Sequence, residues 1–400
     1  MEFIFLGTGS SGGLPYIGCI TAPPDDQVCK TCLSALTPEG RRNVRRNTSA
    51  VIRMDNKRGS KATIVIDTGK TFQASALEWF PKYGLREIDA ILITHAHADA
   101  LNGLDDLRSW TLYEFIQSHI DIYLSQETFN AVQVSFPYLV SKERASGGGD
   151  VPEFKWHVIE DQVPFEINDT GIYVTPFSVH HGFCSSNSSE NNILPSPSFP
   201  LFNEAPSFFP EQRKPFLSYG FKIANQLIYI SDASHIPEES WDIISPKASG
   251  NHVPVCVLDC LQLKPHASHF HFAKSVSVAR RIRATRTYLT GFCHAATHEE
   301  YVALGEVVGG AIRDKQEMLA MEQNGFCSVE KGDSIWIRPA HDGLRVTVND
   351  GVVRDETYLA QASGQSDGMV RRYWGFGTVK DLLSWKLLIT IIFVILISKP

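Results

Sequence analysis

The chain has 400 residues, 43% of them hydrophobic and 20% charged, a balance that can supply a sizeable buried core. Its formal net charge of −7 argues against a broad electrostatic grip on nucleic acid or anionic lipid. The opening "MEFIFLGTGSSGG" has no basic segment and only a short apolar run, so no secretory signal is read there. The eight cysteines are therefore expected in a reducing, cytoplasmic setting, where close spacing favours metal over disulfides.

In chain order, "EFIFLGTGSSGG" reads as a strand running into a Gly/Ser loop. The next segment, "GCITAPPDDQVCKTC" (18–32), holds Cys19, Cys29 and Cys32, the last two in C-x-x-C spacing. That spacing fits half of a structural zinc site or a redox pair, and the preceding Pro/Asp loop favours zinc. A tetrahedral ion needs a fourth ligand, and His298 is the candidate. Arg41, Arg42, Arg45 and Arg46 form one dense cationic run, expected to be a solvated face.

Two apolar, β-branched strands follow, "ATIVIDTG" (62–69) and "DAILITH" (89–95). The second runs into "THAHADALNG", which sets His95, His97 and Asp99 at alternate positions. Residues 141–152 read as a loop, and "GIYVTPFSVHHG" (171–182) as a further strand ending in His180 and His181. The Ser-, Asn- and Pro-rich stretch 184–215 reads as a long surface insertion. Strands "QLIYISDAS" (226–234) and "VPVCVLDC" (253–260) come next, the first ending near Asp232. Helical patterns follow at 272–284 and 299–319, the former preceded by His266, His269 and His271.

After residue 345 the pattern turns loop-rich, with 346–380 read as an extension or linker and 1–345 as the main domain. The apolar run 382–398 is a candidate tail anchor, interrupted by Lys386 and short of the roughly 20 residues of a spanning helix. A tail-anchored protein on an intracellular membrane is thus the alternative to a cytoplasmic one.

Strands that end in His, Asp or Cys present those side chains along one sheet edge, on a rigid scaffold. Neutral imidazoles and carboxylates converging there could hold one or two cations, lower the pKa of bound water to about 7 and polarise a scissile bond. Any one such residue has an ordinary alternative: Asp99 could cap a helix near Asn102, and Asp232 could end its strand in an Asx-turn. Five ligand-type strand ends in one chain are harder to explain that way.

The ordered set "FLGTGSSGG", "VIDTG", "THAHAD", "HHG", "SDAS" and a late histidine resembles the metallo-β-lactamase superfamily over most of residues 1–300. The resemblance implies an α/β fold, an αββα sandwich with a metal site at one edge. It implies that His95, His97 and His181 hold a first metal, that Asp99 and His294 hold a second, and that Asp232 bridges them. It also implies that Asp67 supports the histidines from behind. The usual motif ends Asp-His, whereas this chain has Ala100, so the second cation should be held more weakly and Mn²⁺ becomes credible beside Zn²⁺. The Cys-rich loop is similar to that of a phosphodiesterase branch typified by the accessory enzyme of bacterial carbon–phosphorus lyase pathways. There a histidine just past the last active-site ligand closes a structural zinc, and a histidine at the place of His269 assists the leaving oxygen.

The expected activity is hydrolysis of a small phosphodiester or cyclic phosphate by a metal-activated hydroxide, with His269 and Asp99 as catalytic groups. Two competitors stand beside it. One is a thioester or lactone hydrolase on the same fold. The other is a weakly active, metal-stabilised scaffold.

Overall fold

The computed structural model describes residues 1–358, apart from residue 27 and segments 147–149, 185–213, 246–251 and 313–328. The insertion expected at 184–215 therefore falls almost wholly outside the described residues, as does the apolar tail. Among the described residues no helix is long and apolar enough to cross a membrane.

Among the described residues, fifteen strands form two sheets. Strands β1 (Glu2–Gly7), β2 (Ser49–Asp55), β3 (Lys61–Ile66), β4 (Ala90–Leu92), β5 (Ile120–Leu124) and β6 (Phe154–Val158) lie side by side in the first. The second holds β7 (Phe165–Glu166), β8 (Tyr173–Phe183), β9 (Pro215–Ile223), β10 (Leu227–Ile230), β11 (Val255–Asp259), β12 (Arg286–Thr290) and β13 (Ile337–Pro339). The chain then returns to the first sheet, where β14 (Arg345–Asn349) pairs with β1 and β15 (Val352–Asp355) covers β14. The main compact unit consequently runs from Met1 to Glu356, past the boundary expected at 345. Alternation of Val348 and Val353 with polar neighbours is the signal in "RVTVNDGVVRD" that marks this hairpin.

The alternation within β1 explains the layering. Ile4 and Leu6 point to one face, where they join the core beneath the helix Phe72–Tyr83. Phe3 and Phe5 point to the other and meet Tyr229 and Tyr288 of the second sheet, with ring centroids 6.3 and 5.9 Å apart. On the far side of the second sheet, Ile230, Leu258 and Leu289 pack under the helices Phe272–Ile282 and His298–Val308. Each large apolar side chain buried this way contributes roughly 1.5–3 kcal/mol, and strands apolar on both faces require helices outside both sheets. The result is the expected αββα sandwich.

One expectation about the surface is overturned. Arg45, read as part of a solvated cationic run, is only 1% exposed. Its guanidinium donates to the carbonyls of Cys293 and Ala296 and to Oδ1 of Asn43, and it lies 4.9 Å over the Phe292 ring. A planar five-donor fork can satisfy several carbonyls of one loop, which is why an arginine can be buried here.

Candidate metal centre

Strands β3 and β4 run parallel, and the chain leaving each turns at the same sheet edge. After β3 comes "DTGK", whose Asp67 sits at a φ of 60°. After β4 comes the loop carrying His95, His97 and Asp99. The two loops pack so tightly that a Cβ on Gly69 would lie 1.8 Å from the carbonyl oxygen of Asp99. Only glycine fits there. The Asp67 carboxylate accepts the Thr94 amide (2.8 Å) on one oxygen and the Thr94 hydroxyl (2.8 Å) on the other.

Those bonds set the tautomer of His95. The Thr94 hydroxyl spends its proton on Asp67, so His95 Nδ1, 2.8 Å away, donates to the Thr94 oxygen. His95 Nε2 is then a bare lone pair, fully buried and without a hydrogen-bond partner among the described residues. His181 reaches the same point from β8, at an irregularity in its pairing with β9. Its Nδ1 donates to the Ser268 carbonyl (2.8 Å), which leaves its Nε2 lone pair 3.1 Å from His97 Nδ1. Three imidazole nitrogens thus converge, with ligand atoms within 4.8 Å of one another. Burial holds His95 down to about 3, and it likewise lowers His97, helped by His181. Neutral imidazoles aiming lone pairs at one point, one of them with no other partner, are a donor set that fits a divalent cation. Alternation along β8 sends His180 elsewhere, its ring against His235.

Asp232, His181 and His269 form a second group of ligand atoms within 4.8 Å. Burial opposes ionisation of Asp232, but His95, His181 and His269 outweigh it and hold its carboxyl at about 2. His269 Nδ1 lies 3.0 Å from Asp259 Oδ2 and 3.6 Å from Asp232 Oδ1. Burial alone would lower the imidazole, yet Asp259 and then Asp232 raise it to about 9. Asp99 is half-buried, and its carboxyl is pushed up by burial and by Asp232. Ala100 is 2% exposed and contributes only main chain, its carbonyl accepting the Thr68 amide at 2.7 Å.

His294 does not join Asp99 and Asp232 as the resemblance implied. It stands in the other cluster, its Nδ1 at 3.3, 3.6 and 3.6 Å from the sulfurs of Cys19, Cys29 and Cys32. Tetrahedral bond lengths of about 2.3 Å to sulfur and 2.0–2.1 Å to nitrogen place S and N roughly 3.6 Å apart, so this spacing fits zinc. His298, expected as the fourth ligand, is turned away. Thr297 caps the helix that His298 begins, with the reciprocal Glu300 bond of a capping box. The His298 amide donates to Asn43 Oδ1, and its ring is 1% exposed, 5.5 Å from that of His341. The helix start turns His298 into the core and leaves His294 in the loop beside the cysteines.

Sequence reading missed three residues that complete the centre. Asp259 ends β11 as Asp232 follows β10, so the same strand-end signal was available for it. Phe216 lies parallel to His97, with centroids 4.5 Å apart, and no local motif announces it. Gly291, at a φ of 81°, follows β12, and a Cβ there would lie 2.8 Å from Asp259 Oδ1. Ala100 and Gly291 contribute no side-chain donor to this edge.

A family model described as the beta-lactamase superfamily domain matches residues 62–292, more than half of the chain. The chain belongs to the beta-lactamase superfamily. Its fold is the metallo-β-lactamase fold, which implies a divalent metal, and the histidine edge offers ligands for one. An octanoyltransferase from Porphyromonas gingivalis (strain ATCC BAA-308 / W83) is 31% identical over 182 residues, which are 46% of this chain and 31% of that protein. The superfamily member described here thus spans about a third of that relative's length. Among solved structures, a diphosphatase of the PhnP family is similar at 24% identity and a TM-score of 0.57, covering 87% of this chain and 98% of that one. The metallo-β-lactamase-fold protein YhfI from Bacillus subtilis is similar at 10% identity and a TM-score of 0.44, with 86% and 98% covered.

Proposed function

We propose that this protein is a hydrolase, and specifically a phosphodiesterase acting on a small phosphodiester. The observation that carries the reading is a proton donor built into the metal edge: His269, with Nδ1 held by Asp259, beside Asp232 and 4.6 Å from the His181 ring. Hydrolysis of a diester needs a group that protonates a departing alkoxide, and an imidazolium near neutrality does this well.

His95 Nε2, His97 Nδ1, His181 Nε2 and Asp232 would hold the first cation, and a nitrogen-rich set of this kind suits zinc. Asp99 and Asp232 would remain for a second, where oxygen donors make Mn²⁺ a candidate. When bound, the metal supplies a lowered pKa for water and a positive charge for the phosphoryl oxygens. The protein's own groups do the rest. Water attacks phosphorus in line and the opposite P–O ester bond breaks. Asp99 accepts the water's proton, and His269 passes its Nε2 proton to the leaving oxygen while Nδ1 stays on Asp259. Asp67 and Thr94 keep the His95 lone pair aimed inward. The Cys19, Cys29, Cys32 and His294 cluster would hold a structural zinc away from this chemistry.

The test is turnover of bis(p-nitrophenyl) phosphate by purified protein loaded with zinc or manganese. His97→Ala, Asp232→Ala and His269→Ala should each lower it about 10²-fold or more, as loss of acid–base or metal-holding groups does. Turnover of thioesters but not of the phosphodiester would place the chain with carbonyl hydrolysis instead.

A further inference from the structure

A cavity of about 390 Å³ opens beside the histidines, and its lining includes Thr94, Glu127, Asp161, Phe216, Ser218 and Tyr219. Two of these residues join it to the metal edge. The Phe216 ring lies parallel to His97, and the Thr94 carbonyl accepts the Tyr219 amide at 2.8 Å. A molecule in the cavity would therefore sit one aromatic ring away from the imidazoles.

Glu127 and Asp161 on its lining are both carboxylates, and Lys214 is the one cation among the described lining residues, so the charged groups carry a negative excess. Burial, and after it Asp161, Glu127 and Glu160, push the Tyr219 phenol up to about 12. Apolar surface supplies most of the wall, as is usual for sites that take an organic group.

We propose that this cavity binds the non-reacting alcohol of the phosphodiester and selects an uncharged or cationic organic group over one bearing a further phosphate. The assignment rests on the phosphodiesterase reading and names its substrate class. Phe216 and the apolar wall take the organic group, while Glu127 and Asp161 repel anions and attract cations.

The experiment uses the full chain loaded with zinc and three diesters that share a p-nitrophenolate leaving group. Their second alcohols are choline, thymidine, and thymidine carrying an additional 3′-phosphate. Expected kcat/KM is at least about tenfold higher for the first two than for the third. Glu127→Lys, on the exposed first turn of a helix, should erase or invert that order, and Glu127→Gln should give an intermediate. Asp161→Asn, which keeps an oxygen for the Ser178 amide, should narrow the same order. Equal turnover of all three diesters, or variants that leave that order untouched, overturns the assignment. If no diester is turned over, the phosphodiesterase reading fails and the cavity is judged by binding alone. Choline or thymidine titrations by calorimetry that weaken in the Glu127→Lys variant then sustain it, and no binding to the wild type overturns it.

Discussion

His269 donates through Nδ1 to Oδ2 of Asp259, 3.0 Å away, and the same oxygen accepts the backbone amides of Ala233 and Phe270. One carboxylate oxygen therefore fixes both the orientation and the protonated edge of the imidazole. In Asp259→Asn, the two amides keep the side-chain oxygen facing Nδ1 but its charge is lost, so the imidazolium is less favoured and kcat should fall about tenfold or more.

The same pair sets a pH limit. With His269 raised to about 9, the donating imidazolium is populated below that pH and lost above it. Activity should decline on the alkaline side. Removing the Asp259 charge lowers the His269 pKa, so the alkaline limb of the pH–kcat profile should move to lower pH in Asp259→Asn. An unmoved limb would assign that titration to another group.

Thr94→Val keeps the shape of the side chain but breaks the link between Asp67 and His95. Metal affinity at the histidine edge should fall about 10- to 100-fold, as it does when a ligand's orienting partner is lost. Stability should also drop by about 1–3 kcal/mol, because one oxygen of the buried Asp67 carboxylate loses its donor. Competition with a chromophoric chelator measures the first effect, and Thr94→Ser should restore both.

His294→Ala and His298→Ala should part company in a zinc count. The first removes a ligand from the cysteine cluster and should lose close to one metal per chain. The second removes a core imidazole and should cost stability while keeping that metal. Elemental analysis of the two purified variants decides the assignment, and equal metal content would reject it.

Arg45→Met should destabilise the chain by about 3 kcal/mol or more, because the carbonyls of Cys293 and Ala296 lose their donor in a buried setting. Those carbonyls flank His294 in sequence, so the variant should also release the cysteine-bound metal more readily to a chelator. Thermal unfolding with and without chelator reads both effects.

Much of this arrangement is legible in the sequence for a simple reason. His95, His97, His181 and Asp232 lie at or just beyond strand ends, and strand periodicity places such residues at one edge. The choice of His181 over His180 rests on the resemblance, whose pattern places the ligand immediately before glycine. The two later histidines were a different matter, because spacing alone does not say which of His294 and His298 reaches the cysteines. The deciding signal was local: "THEE" starts a helix at His298, and that helix buries it. Asp259 was also readable by the strand-end rule and went unused. Phe216 and Arg45 could not be read, since their contacts join segments 119 and 248 positions apart, respectively, through the tertiary fold (216 − 97 and 293 − 45).

The cysteine cluster has a thermodynamic side besides its chemistry. Cys19 and His294 are 275 positions apart, so an ion gripping both closes a very large ring in the chain. In a flexible polymer each doubling of ring size adds only about 0.6 kcal/mol of closure entropy, but that penalty is levied on the unfolded ensemble when the ring persists there. A zinc that stays bound during unfolding would then narrow what the denatured chain can explore, whereas one that dissociates would stabilise by mass action, in proportion to the logarithm of free zinc. The dependence of Tm on zinc concentration tells the clasp that survives unfolding from the one that opens with it.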